Sequence, residues 1–264
     1  MLSTTLLVTL LAPPTEVPLV DDEVAPVLQE EAADSGPQWE GSVTLGASTS
    51  TGNSEVSSVT AGVDASRATE AETWTFQFNS VLNQEKVGGV TNTTQRRNEA
   101  NLKYEHNLSE RLYAYGTAGA MSDLNAQLDL RSGAGAGAGY KLLSGEAWTL
   151  DTELGLTYLN ELFAESAGVQ DRNEYVAAHV GYEAGWGDSD ERMKFSHRGD
   201  LYPAIDGSEE SGTPGFYRFD TTLRMNVTES FFTQFQWLFT RTAVPQDGKG
   251  KNDNLFLVTV GWGF

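Results

Sequence analysis

From Trp39 to the end, apolar and polar residues alternate every second position, the period of strands with two unlike faces. Trp74, Phe76 and Phe78 interleave with Thr73, Thr75, Gln77 and Asn79. Ala100, Leu102 and Tyr104 interleave with Glu99, Asn101, Lys103 and Glu105. The same rhythm runs through Trp148–Tyr158, Val176–Glu183, Tyr217–Val227 and Phe256–Phe264, and no comparable helical period occurs. The chain is therefore all-β from Trp39 on.

Twelve strands are predicted, over 39–49, 54–66, 72–82, 95–107, 111–121, 129–141, 147–160, 173–186, 191–203, 215–228, 231–242 and 254–264. Most are longer than the roughly five or six residues usual in globular sheets, and match the roughly nine to eleven of a tilted membrane strand. Predicted connections alternate in length. Tight ones fall at 67–71, Ser109–Glu110, 142–146, 187–190 and Glu229–Ser230, and longer ones at 83–94, 122–128, 161–172, 204–214 and 243–253; Ser50–Asn53 is a short exception. Short turns at one end and long loops at the other define a closed antiparallel transmembrane barrel, with short periplasmic turns and both termini on the periplasmic side.

Energetics decide the faces. A Lys or Arg turned to lipid at the midplane costs about 2–4 kcal/mol, so the ionic rows should face the lumen. The expected lining is Arg97, Glu99, Lys103, Glu105, Arg131, Lys141, Asp151, Glu153, Glu183, Lys194, Arg198, Asp200, Arg218, Asp220 and Arg224. Within it, Arg97, Lys103, Arg218 and Arg224 with Glu99, Glu105 and Asp220 are expected to form a charged constriction. Trp39, Trp74, Tyr104, Tyr140, Trp148, Tyr158, Tyr182 and Trp262 are expected at the membrane interfaces, where amphipathic rings prefer the headgroup level. In a soluble sandwich the same rows would be exchanged, the aromatics forming the core.

Gly133–Gly139 alternates Gly and Ala, with the glycines on the Arg131/Lys141 face, a pattern that allows close backbone approach, strong curvature or room for long neighbouring side chains. No Lys-Ser/Thr follows, as a phosphate-binding loop would require. The closing strand ends in Trp262 and Phe264; a terminal Phe after alternating aromatics resembles the signal read by the barrel assembly machinery.

Residues 1–12 hold a short apolar run of the length of a secretory leader core, without a preceding basic residue. Residues 13–38, rich in Pro and acid, read as a disordered periplasmic tether. The formal charge is -20; seven acidic residues precede Trp39, leaving 30 acidic against 17 basic residues in the barrel segment. That balance argues against nucleic acid, whose phosphates need a basic footprint, and fits a surface that meets cations, or outer-membrane lipid and lipopolysaccharide through bridging cations. There is no cysteine, so disulfides and thiolate metal sites are excluded.

The segment Trp39-Glu-Gly-Ser-Val-Thr-Leu-Gly-Ala-Ser48, with Thr51-Gly-Asn-Ser54, resembles the opening of the domain-of-unknown-function 481 (DUF481) family, which includes YdiY-type, salt-induced outer membrane proteins. Leu108–Tyr115, Asp123, Asp129–Arg131 and Gly137–Tyr140 are similar to it as well. The resemblance implies an outer-membrane barrel and supplies no catalytic residue.

Candidate chemistry is sparse. His179 is expected in the lumen and His106 near a turn; His197 has Ser196 beside it, but neighbours on a strand point to opposite faces and cannot share a proton. No His pair has metal-ligand spacing. Asp151 and Glu153 read as counter-ions to lumenal bases, and Asp206, Glu209, Glu210, Asp247 and Asp253 as solvated loop acids rather than a calcium site. No cofactor, metal or catalytic residue is implied. The reading is a non-enzymatic outer-membrane barrel, either a narrow pore or a structural, envelope-stress-related barrel. The alternatives are a surface-interaction barrel using its loops, or an outer-membrane lipid hydrolase. Whether a twelve-strand lumen is open or plugged, and the oligomeric state, stay undecided.

Overall fold

A computed structural model describes residues 38–50, 55–165, 170–205, 215–245 and 249–264. The expected leader and nearly all of the expected tether lie outside the described residues. So do the loop acids Asp206, Glu209, Glu210 and Asp247.

Twelve strands follow in chain order. They are β1 (Glu40–Ser50), β2 (Glu55–Ala68), β3 (Glu72–Val87), β4 (Val90–Asn107), β5 (Leu112–Asp123) and β6 (Leu128–Ser144). Then come β7 (Trp148–Phe163), β8 (Arg172–Gly187), β9 (Met193–Pro203), β10 (Gly215–Asn226), β11 (Phe231–Thr242) and β12 (Asn252–Gly263). Each pairs antiparallel with its sequence neighbours, and β12 returns to β1 to close the barrel. Closure removes the free edges that an open sheet would present. At the terminal end, Gly41 and Phe264 exchange two backbone hydrogen bonds of 2.9 Å.

Two expectations are corrected. The long loop over 83–94 is instead a continuation of β3 and β4 to a two-residue turn at Gly88–Gly89, with a register shift between Asn83 and Gln84. Both glycines have positive φ (60° and 83°), the geometry that favours glycine in tight hairpins. The polar stretch Asn83–Gln95 looked loop-like because neither of its faces meets lipid. Asp253, taken as a loop acid, lies on β12.

The outer face carries the apolar rows: Leu154, Leu156, Phe256, Val258 and Val260 are all exposed. In the middle of β7, Leu154 is 66% exposed while its neighbour Glu153 is 7% exposed, the reverse of a water-soluble surface. Trp148 and Tyr158, both outward on β7, are ten positions apart. At about 3.3 Å per residue and a tilt near 40°, they bracket a belt of about 25 Å, the height of a membrane barrel's apolar band.

Candidate functional site: a charged chamber spanned by ion pairs

The inner rows enclose a central cavity of about 610 Å³. Arg97, Glu99, Lys103, Glu105, Arg131, Asp151, Glu183, Arg198, Asp200, Arg218, Asp220 and Arg224 line it. Glu153 lines a small adjoining cavity of about 30 Å³. Lys141 points inward near it, with Nζ 3.3 Å from Asn107 Oδ1 and 5.7 Å from the Tyr113 ring centre. Lys194 does not line the chamber. It is exposed and pairs at 3.4 Å with Glu191 in the β8–β9 turn, because β9 has reached the rim there.

The lumen is bridged from wall to wall. Glu99 on β4 contacts Arg218 on β10. Arg97 binds Glu99 at 3.0 Å and Asp123 at 3.3 Å, while Arg218 lies 3.9 Å from Asp220. The result is a continuous chain of alternating charge across the barrel. Of the seven residues expected to form a constriction, only Arg97, Glu99, Arg218 and Asp220 belong to this bridge. Lys103 pairs instead with Glu105 at 2.7 Å and with Glu153 on β7. Arg224 is farther toward the terminal end, its guanidinium 3.5 Å from the Phe232 ring centre. Burying so many charges is tolerable because each bridging group has an opposite charge within reach.

Other inward groups escaped the sequence reading. Asp64, Asp123 and Glu161 are inward acids; Arg131 binds Glu161 at 2.7 Å and stacks 4.1 Å over Phe216 of β10. Their alternation was readable, but each stands near a strand end or in a sparsely charged strand. His179 is buried, with Nδ1 2.6 Å from Tyr115 Oη and Nε2 2.8 Å from Asp200, which Arg198 also grips at 2.7 Å. This chain of bonds orients a histidine, but among the described residues it brings no serine or threonine hydroxyl to it. His197 is held by Tyr182 and Thr221, each at 2.8 Å, and stacks on Phe219, away from the chamber. Among the described residues no cluster of His, Cys, Asp or Glu could hold a metal ion.

The glycine row of β6 makes room for two tyrosines. A side-chain carbon on Gly139 would collide with the Tyr113 ring, and one on Gly137 would sit 2.6 Å from Tyr115 Oη. Tyr113 donates to Glu153 at 2.8 Å.

All eight expected interface aromatics are half-exposed or exposed on the outside. Trp39, Trp74, Tyr104, Tyr140, Trp148, Tyr182 and Trp262 gather at the end holding both termini, and Tyr158 stands toward the other. The far belt also contains Trp237 and Phe256, stacked with centroids 6.1 Å apart, and Phe239, which were not anticipated.

The model of the family described as "Protein of unknown function, DUF481" matches residues 43–264. The chain belongs to the DUF481 family. Similar solved structures include the COG4313 outer membrane channel from Pseudomonas putida F1, at 14% identity over 94% of this chain and 99% of that one, with a TM-score of 0.51. The NanC porin is 10% identical, covering 84% of this chain and 97% of that one, with a TM-score of 0.45. The translocator domain of the autotransporter NalP from Neisseria meningitidis is 12% identical, covering 86% and 87%, with a TM-score of 0.45. At these identities the likeness concerns the fold alone. No curated protein matches. The DUF481 barrel is thus a twelve-strand cylinder whose lumen holds fixed ion pairs.

Proposed function

We propose that this protein is a non-enzymatic outer-membrane barrel acting as a narrow, gated pore for small hydrated ions and polar solutes. The carrying observation is the contact of Glu99 with Arg218 across a chamber lined by charge. A solute passing along the axis has to exchange with that ion pair, which sets both the bore and the charge selectivity. The outer-membrane setting is supported by the apolar outer belt between two aromatic rows, which acyl chains solvate and water does not.

Planar-bilayer recording tests the pore. Purified protein should show small unitary currents, and Arg218→Ala should enlarge them by opening the bridge. Silence in both proteins overturns this reading. The β3–β4 hairpin favours a second role in surface contact, since its polar tip runs past the apolar belt, with Lys86 and Glu55 paired at 3.2 Å. Shortening that hairpin should weaken adhesion to lipopolysaccharide or a partner while leaving conductance intact.

A further inference from the structure

The barrel is closed unevenly. β1 and β12 pair only from Gly41↔Phe264 to Leu45↔Val260, five positions. The next shortest seam, β8 with β9, has eight. Beyond Leu45, β1 continues to Ser50 paired with β2 alone; before Val260, β12 runs back to Asn252 paired with β11 alone. Along this stretch, away from the termini, two strand edges face each other without a ladder among the described residues. Backbone groups left unpaired toward hydrocarbon are costly, so such a gap in a membrane barrel needs a reason.

The lining of the gap supplies one. Behind this seam lies an apolar cluster, in which Val81 of β3, Leu238 of β11 and Leu257 of β12 are buried with Leu255 packed against them; a second, of Leu159, Tyr175, Ala177 and Phe216, lies on the wall of β7, β8 and β10. Gly46, Thr60 and Val81 lie in one register row across β1, β2 and β3. Val81 therefore reaches the β12 leucines over a glycine and a threonine, covering the inner side of the gap. On the outer side stand Phe256, 73% exposed, and Val258, 61% exposed. At the near end Gly46 lies close against the Val258 backbone; beyond it, side-chain contacts, which rotate away easily, seal the stretch, where every other seam is sealed by a longer ladder.

We infer that the outer half of the β1–β12 seam is a lateral portal through which the hydrocarbon tail of a single-chain amphiphile passes between bilayer and chamber. The apolar cluster receives the tail, and the polar head remains among the chamber's ionic groups. This goes beyond axial conduction and does not depend on it.

The absence of cysteine makes the test direct. In lipid vesicles, Leu45→Cys/Val260→Cys places thiols on a registered pair, within disulfide reach. Ala47→Cys/Val258→Cys places them one outward position farther along each strand. Mild oxidation should bridge the first pair readily and the second severalfold more slowly; equal rates overturn the portal. A disulfide-linked dimer from Ala47→Cys alone would also overturn it, by showing a second copy on the seam.

For passage itself, Thr240→Cys, on β11 and lining the chamber, is labelled with a bimane fluorophore. Stearic acid carrying a nitroxide on its tail should quench it from the bilayer. Oxidising Ala47→Cys/Val258→Cys before labelling should abolish that quenching. Quenching that survives the staple, or is absent throughout, overturns the inference. Conductance through the axis should persist with the staple in place, so failure here is separable from failure of the pore.

Discussion

Glu99 and Arg218 touch although their strands, β4 and β10, stand six places apart in a ring of twelve, the greatest separation the ring allows. Neighbouring strands hold their registers by backbone ladders, but nothing except side chains can join opposite walls. The barrel's cross-section is therefore set by ion pairs as well as by strand number.

Those ion pairs should be energetically coupled. Arg218→Met leaves Glu99 with Arg97 and Asn101. Glu99→Gln leaves Arg218, among the described residues, with Asp220 at 3.9 Å as its one ion-pair partner, and should be the more damaging, with about 3–5 kcal/mol as the upper bound set by a fully unpaired buried charge. The double variant should cost less than the sum. Urea unfolding in vesicles measures the cycle, and strict additivity would refute the coupling.

Asp151 and Glu183 face each other as register partners on β7 and β8, both lining the chamber. Neither has a basic group at ion-pair distance among the described residues, and like charges directly opposite are destabilising. Asp151→Asn should stabilise the barrel by about 0.2–1 kcal/mol at neutral pH. It should also shift the charge selectivity away from cations, read as a reversal potential in a salt gradient.

Gly139 is a packing requirement, since a side-chain carbon there would occupy the Tyr113 ring. Gly139→Ala should cost about 1–3 kcal/mol, the range for overpacking. Tyr113→Leu, costly alone through loss of the bond to Glu153, should recover part of that loss when combined with it. Thermal unfolding of the three variants decides the matter.

The outer belt predicts a depth dependence. Leu154→Arg, in the middle of β7, should oppose folding into vesicles by about 2–4 kcal/mol, whereas Trp148→Arg at its end should cost about 0–1 kcal/mol for the charge. Equal penalties would mean that the belt does not lie in lipid.

Much of this molecule was legible as a string. Alternation in Trp74–Asn79 or Leu102–Glu105 assigns faces because the strand period is two, whatever lies across the ladder. The Gly133–Gly139 run allowed large neighbours over β6, beside close backbone approach or strong curvature. It did not say that Tyr113 and Tyr115 lean there, since those partners come from the opposite register of β5. The 83–94 segment misled because length and polarity cannot distinguish a loop from a hairpin that has left the membrane. Leu255-Phe256-Leu257-Val258 carried an available warning, four apolar residues in a row, that the inner row of β12 departs from the ionic pattern.

Sequence by itself determined the strands and their two faces, because these rest on local periodicity and on the solvation of each side chain, while the alternation of connection lengths pointed to closure. Only the tertiary structure decided which charges meet across the lumen, and where the last strand stops pairing with the first. Both depend on shear and curvature of the whole cylinder, which bring residues more than a hundred positions apart into contact and leave no periodic trace in the chain.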